Sequence, residues 1–149
     1  MTLLPDWREF IELLNSHRVD YVIVGAWARA FHGVPRSTGD IDFFVRASED
    51  NALRLVEVLD HFGFGSLGIA PSDFLTPGQV IQLGIDPYRI GLVTGISDVT
   101  FEEAWNERVH GEIDGVPTVF LSLRLYRRNK RAAGRPKDLA DLADTPDAD

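Results

Sequence analysis

The stretch VGAWARAFHGVPRSTGDIDFFV, residues 24–45, decides the fold. An apolar strand ends at Gly25, a short helix starts there, and a second apolar strand begins with Asp40 and Asp42. Residues two apart on a strand face the same side, so their side chains start about 6–7 Å apart. The stretch therefore predicts a strand, a helix and a strand that present two carboxylates on one face of a sheet.

The residues around this acid pair suit a nucleoside triphosphate with its magnesium ion. Two converging carboxylates can bind hard divalent cations such as Mg²⁺ or Mn²⁺. Gly25 allows close approach of a ligand, and the backbone N–H groups that follow, including that of Ala26, can receive phosphate oxygens. Arg36, Ser37 and Thr38 add a guanidinium group and two hydroxyls. An alternative for the acid pair is purely structural, with one Asp capping a turn and the other solvated.

Composition excludes several classes of site. The chain has 149 residues and no cysteine, which excludes disulfides, thiolate nucleophiles and cysteine-based metal sites. The four histidines lie far apart in sequence, which gives a zinc site little support. The N-terminus lacks a signal-peptide pattern, and no apolar run approaches the roughly 20 residues that span a bilayer. We expect a soluble cytoplasmic protein without membrane contact.

The net charge is -8, but the segment 124–137, RLYRRNKRAAGRPK, contains seven basic residues and no acidic residue. This segment could contact a triphosphate, bind an RNA acceptor, or form solvated helix faces. Asp138, just after the segment, is expected to cap a helix or pair with neighbouring cations.

Local patterns predict an α/β (α+β) fold in one domain over residues 1–149. It has a mixed sheet of about four to six strands, a basic helical segment at 122–144 and a frayed tail at 145–149. In the helix capped by Ser48, we expect Leu53, Val56, Leu59 and Phe62 to form the apolar stripe. Turns are expected at Asp86-Pro87 and Asp114-Gly115, a capping box at Thr100 and Glu103, and further helix starts at Ser122 and Pro136.

Residues 24–45 resemble the signature of the DNA polymerase beta-like nucleotidyltransferase superfamily. The later segments RIGLVTGISDVTFEEAW and LYRRNKRAAGRPKDLADL are similar to small bacterial nucleotidyltransferases, which include toxin-like members of toxin–antitoxin and abortive-infection systems. The resemblance implies a nucleotidyltransferase fold with catalytic, metal-binding carboxylates at Asp40 and Asp42. The block NKRAAGRPKD in the last segment matches the pattern of these relatives, which makes Lys130 the best single candidate for a contact with a distal phosphate or with the acceptor. It implies transfer of a nucleotidyl group from a nucleoside triphosphate to a hydroxyl on RNA, protein or a small molecule. A protein partner is also conceivable in such a system.

One position departs from the pattern of these relatives. A third carboxylate is expected in the block that reads RIGLVT here, and Gly91 stands in its place. Three explanations remain open from sequence. Asp86 or Asp98 could substitute, two carboxylates could suffice together with substrate phosphate and water, or the protein could bind nucleotide or a partner without turnover.

Overall fold

The computed structural model describes residues 3–34, 39–85 and 88–145. The helices are α1 (Pro5–Ser16), α2 (Gly25–Phe31), α3 (Glu49–Phe62), α4 (Phe101–Asn106), α5 (Leu123–Ala133) and α6 (Pro136–Ala143). The strands are β1 (Tyr21–Val24), β2 (Asp40–Val45), β3 (Val80–Ile85), β4 (Tyr88–Val93), β5 (Val109–Ile113) and β6 (Val116–Phe120). Two short 3₁₀ turns, Gly65–Leu67 and Pro71–Phe74, connect α3 to β3.

The six strands form one mixed sheet in the order β3-β4-β2-β1-β6-β5. Strand β2 lies at its centre, antiparallel to β1 and parallel to β4. Strand β1 pairs in parallel with β6, and the outer pairs β3–β4 and β5–β6 are antiparallel hairpins. The predicted α/β class with a mixed sheet of four to six strands is confirmed.

Hydrophobic cores cover both faces of the sheet. Helices α1 and α3 pack on one face, against alternate residues such as Ile41 and Phe43 of β2. Helices α4 and α5 pack on the other face, against Val22, Val24 and Phe44. Because β2 is central and its side chains alternate, Asp40 and Asp42 share the α5 face with Phe44. The alternation therefore places the acid pair on the side where the basic helix lies.

The predicted caps and turns are confirmed wherever the structure describes them. Ser48, Thr100 and Ser122 each accept a hydrogen bond from a backbone N–H in the first turn of their helix. The β5–β6 turn holds Asp114 and Gly115 at φ of 52° and 80°, the positive values that a tight hairpin requires. The predicted Asp86-Pro87 turn lies outside the described residues. Each of the confirmed features depends on a few adjacent residues.

The predicted apolar stripe of α3 is confirmed at three of its four residues. Leu59 is buried, and Val56 and Phe62 pack partly buried against the core, whereas Leu53 is 54% exposed. The rest of the buried face is formed by Asn51, Ala52, Leu55 and Val58. Asn51 is buried because its amide donates to the backbone carbonyls of Asp20 and Arg46. These hydrogen bonds help to set the rotation of α3 about its axis, and the spacing of apolar residues in the sequence does not indicate them.

Two further observations concern the chain as a whole. Among the described helices, none has both the length and the apolar character needed to cross a membrane. Thr145, where the tail 145–149 was expected to start, is buried, and its hydroxyl accepts a hydrogen bond from Arg127 Nη1 at 2.6 Å.

Candidate functional site

The acid pair lies at the start of the central strand β2. Asp42 is directly opposite Val24 of β1 on one side and Gly91 of β4 on the other. Asp40 is exposed, whereas Asp42 is only partly exposed. The two carboxylates face the same side of the sheet, as the sequence predicted, but they lie at different depths.

Two glycines make room for the Asp42 carboxylate. At Gly25, where φ is +68°, an added Cβ would lie 3.0 Å from Asp42 Oδ2. At Gly91 an added Cβ would collide with Asp42 Oδ1. Gly25 was predicted to allow close approach of a phosphate, and the group that approaches it in the structure is this carboxylate. The space above Gly91 is likewise occupied by the Asp42 carboxylate, which extends from β2 over β4.

The surroundings of Asp42 disfavour its charge. Burial raises the pKa of the Asp42 carboxyl and the neighbouring Asp40 raises it further, while Lys130 and Lys137 act in the opposite direction. Within residues 3–34, 39–85 and 88–145, no hydrogen bond or ion pair to this carboxylate is present. A partly buried carboxylate without such partners lowers the stability of a fold. Such groups are candidates for a functional site.

Asp42 opens onto a pocket of about 270 Å³ between the sheet and the C-terminal helices. We call it the site pocket; it is lined by Val24, Gly25, Asp42, Val93, Ile96, Ser97, Asn129, Lys130, Ala133, Arg135 and Asp138. Lys130 lies in its wall with its side chain 12% exposed. The structure thus brings together Asp42, Gly25 and Lys130 of the predicted set. Asp40, two residues before Asp42, and Ala26, which follows Gly25, are not among the lining residues.

Asp138 holds the cations of the site pocket in place. It is fully buried and accepts hydrogen bonds from Arg135 Nε at 2.7 Å and Arg135 Nη2 at 3.2 Å. Lys130 Nζ lies 3.3 Å from its Oδ1 and 4.0 Å from Asp141 Oδ2. The hydrogen bonds from Arg135 are the main reason that the pKa of Asp138 falls to about 2. The expectation that Asp138 caps a helix and pairs with cations is confirmed.

We expect Asp138→Asn to lower the free energy of unfolding by about 2 kcal/mol at pH 7, because a charge-assisted network loses its central acceptor. The folded pKa of Asp138 lies below its ordinary value of 3.8, so its stabilisation is present above that value. It is lost as the pH falls towards 2. Urea unfolding at pH 7 and pH 3 should therefore show a smaller difference between wild type and variant at the lower pH.

The matched control is Glu12→Gln. Glu12 pairs with Arg8 at 3.1 Å, and the side chains of Glu12 and Arg8 are 56% and 43% exposed. Exposed pairs contribute about 0–1 kcal/mol, so this variant should remain close to wild type. Equal losses for the two variants would contradict a central role for Asp138.

Most cations of the basic segment 124–137 are engaged within the protein. Arg124 pairs with Glu107 and Arg128 with Glu103 on neighbouring elements. Arg127 donates to the carbonyl of Leu142. The acidic partners of these helices come from elsewhere in the sequence, which is why the segment looks unneutralised when read alone. The segment is less available to an RNA backbone than its sequence suggested.

Several predicted contributors lie elsewhere or are not described. Arg36, Ser37, Thr38 and Asp86 lie outside the described residues. Asp98 does not replace the missing carboxylate, because it faces Arg128 Nε at 3.8 Å and is 63% exposed. Near the site, His32 makes a 2.7 Å hydrogen bond with the backbone carbonyl of Leu121.

Sequence reasoning missed the loop that closes the site pocket. Ser97, which follows β4, contributes to its lining, and its carbonyl accepts a 2.9 Å hydrogen bond from Asn129 Nδ2 of α5. The one available signal was the position of Asn129 next to Lys130. The contact itself joins residues 32 apart in sequence, so no local pattern predicts it.

The oxygen ligands of the site suit a divalent cation whose remaining ligands are substrate phosphates and water. In the part of the chain that the structure describes, no group of three or more His, Cys, Asp or Glu side chains could enclose a metal. Mg²⁺ does not need such a group, because it is commonly bound by one or two carboxylates together with substrate phosphates and water. Asp40 and Asp42 could supply two such carboxylates, and Gly25 and Gly91 leave room for that of Asp42.

Comparison with known proteins supports the fold. Neither a protein-family model nor a curated protein sequence matches the chain. The crystal structure of a candidate nucleotidyltransferase from Thermotoga maritima is similar, with a TM-score of 0.60 and 20% identity over 92% of this chain and 88% of that one. An antigenic nucleotidyltransferase-like protein from Paracoccidioides brasiliensis is similar over 96% of this chain and 77% of that one, with a TM-score of 0.49 and 18% identity. The six-stranded mixed sheet flanked by helices is a nucleotidyltransferase-like fold.

Proposed function

We propose that this protein transfers a nucleotidyl group from a nucleoside triphosphate to a hydroxyl acceptor, with Mg²⁺ or Mn²⁺. The observation that carries the proposal is the Asp42 carboxylate, which lies between Gly25 and Gly91, has no hydrogen-bond or ion-pair partner among the described residues, and is open to a pocket that contains Lys130. A partly buried carboxylate without a partner lowers the stability of the free protein, and a bound cation with its phosphates would supply the missing partner.

In this proposal each residue has a distinct task. Asp40 and Asp42 bind the cation, and Lys130 with Arg135 neutralises phosphate oxygens from the opposite wall of the site pocket. Arg36, Ser37 and Thr38, just before the acid pair in sequence, are proposed to add contacts to the same phosphates. The bound cation supplies Lewis-acid charge at the phosphate.

The chemistry is a substitution at the α-phosphorus of the triphosphate. A bond forms between the acceptor oxygen and this phosphorus, and the bond to the oxygen that bridges the α- and β-phosphates breaks. Pyrophosphate leaves with that electron pair, and the acceptor hydroxyl loses its proton to a base or to solvent. Positioning and charge neutralisation account for most of the catalysis in such reactions.

Lys130 gives the proposal a test in binding alone. We expect Lys130→Met to weaken nucleotide affinity about tenfold, because one charge-assisted contact to phosphate is worth roughly 1.4 kcal/mol here. Titration calorimetry with a non-hydrolysable triphosphate analogue measures this loss. Arg124→Met is the matched control, since it removes a cation from the same helix at a position outside the site pocket lining. Equal weakening in both variants would show that only net charge matters.

The deciding experiment is a transfer assay with four α-labelled nucleoside triphosphates, in Mg²⁺ or Mn²⁺, with cell extract as the acceptor. Label should appear in acceptor with wild type and disappear when the cation is chelated. The sequence resemblance to toxin-type nucleotidyltransferases makes cellular RNA and protein the first acceptors to fractionate. A protein that binds neither nucleotide nor cation would contradict the proposal.

Gly91 favours a second candidate function. With no third carboxylate at this position, the protein could retain nucleotide binding and use it to recruit a partner without turnover. Measurable nucleotide affinity together with no transfer to any fraction of the extract would support this candidate. A transfer rate that is lost in Asp42→Asn would remove it.

A further inference from the structure

Gln82 lies in the same row of the sheet as Asp42. Gly91 of β4 is paired with Asp42 on one side and with Gln82 of β3 on the other. Residues directly paired across strands point to the same face, so Asp42 and Gln82 flank Gly91 on the face of the site pocket. Between the two side chains stands a residue that has none.

The spacing allows the two side chains to meet above Gly91. Neighbouring strands lie about 4.8 Å apart, so each side chain needs to cross about one strand spacing. Asp42 already extends over Gly91, because its Oδ1 occupies the space that a Cβ at Gly91 would need. The Gln82 side chain contacts a side chain of β4, since its Oε1 accepts a hydrogen bond from Arg89 Nη1 at 3.4 Å. That distance is at the outer limit of a hydrogen bond, so little is lost when the amide turns elsewhere.

We propose that the side-chain amide oxygen of Gln82 is the third protein ligand of the cation, reaching it across Gly91. Amide oxygens are ordinary ligands for hard divalent cations. A neutral oxygen from β3 would take the place of the carboxylate expected on β4. Gly91 then has a positive role, because any side chain there would separate Gln82 from Asp42. This inference rests on the proposed function, since it concerns the same cation.

The two glutamines of the chain, Gln79 and Gln82, allow a direct observation. Protein labelled with ¹⁵N-glutamine gives two side-chain amide signals, and Gln82→Leu assigns them by removing one. Addition of Mg²⁺ with a non-hydrolysable triphosphate analogue should shift the Gln82 signal and leave Gln79 nearly unchanged. Gln79 precedes β3 and is three residues away, so it reports general effects of binding.

Affinity for Mn²⁺ in the presence of the analogue, followed by electron paramagnetic resonance, gives a second measurement. We expect Gln82→Leu to weaken Mn²⁺ binding about tenfold, a typical loss for a group that supports a metal site. Gln82→Glu should tighten it by about the same factor, because a charged oxygen replaces a neutral one. Gln79→Glu adds the same charge nearby and should leave the affinity close to wild type.

The outcomes separate this inference from the proposed function. If Asp42→Asn abolishes Mn²⁺ binding while Gln82→Leu and Gln82→Glu match wild type, the role of Gln82 is overturned and the proposed function stands. If wild type binds no Mn²⁺ even with the analogue, both are overturned. Thermal melts of each variant without cation confirm that the compared proteins are folded.

Discussion

Asp42→Asn is expected to reduce nucleotidyl transfer about a thousandfold while raising the melting temperature of the cation-free protein by roughly 2–4 °C. The loss corresponds to about 4 kcal/mol of transition-state stabilisation, a reasonable effect for a side chain that holds a catalytic cation. The gain in stability arises because Asn keeps the shape of the side chain and removes a partly buried charge near Asp40. About 1 kcal/mol would produce that rise in a domain of this size.

The pH dependence of this difference in melting temperature follows from the direction of the pKa shift of Asp42. Burial and Asp40 raise the pKa of Asp42, so the ionised carboxylate costs stability at neutral pH. That cost declines as the pH falls and the carboxyl takes up its proton. Melting curves recorded in chelator should therefore show the advantage of Asp42→Asn shrinking from pH 7 towards pH 4.

Asp40→Asn is the control for this prediction. It should also lose most transfer activity, but its carboxylate is exposed, so the melting temperature should change less. An Asp42→Asn protein that melts below wild type in chelator would show that the carboxylate stabilises the fold. In that case the Asp42 carboxylate would not be a group that lowers stability and is retained for function.

Gly91→Ala is expected to reduce transfer about a hundredfold with little effect on folding. The added Cβ collides with Asp42 Oδ1, so the carboxylate must leave its place between the two glycines. The atom displaced is the end of a flexible side chain, which is why the fold can absorb the change. A misplaced catalytic group of this kind typically costs about two orders of magnitude in rate.

Gly91→Asp separates the effect of the Cβ from that of a third carboxylate. Both variants displace Asp42, but the aspartate adds a charged oxygen at the position where related proteins are expected to have one. We expect Gly91→Asp to retain more transfer activity than Gly91→Ala, because its added carboxylate compensates in part for the displacement of Asp42. The assay is the α-labelled transfer assay, run on wild type and both variants together. If both variants were inactive, transfer would require glycine at position 91, whether the introduced side chain is a methyl group or a carboxylate.

Much of the candidate site could be predicted from sequence because its components lie close together in the chain. Asp40 and Asp42 are two residues apart on a strand, and strand geometry alone puts them on one face. Lys130 was identified from a short basic segment that resembles related nucleotidyltransferases, and it lines the site pocket. The role of Gln82 was not visible, because it depends on which residues of β3, β4 and β2 stand opposite one another.

The sequence by itself determined the elements, their caps and turns, the mixed sheet and the position of the acid pair. These follow from side-chain periodicity and from hydrogen bonds within a turn, which span a few residues. Only the tertiary structure decided that Asp42 leans between Gly25 and Gly91, and that buried Asp138 ties Lys130 and Arg135 to the wall of the site pocket. It also decided which face of α3 is buried. Strand register and helix rotation depend on packing between distant segments, and that packing cannot be read from local pattern.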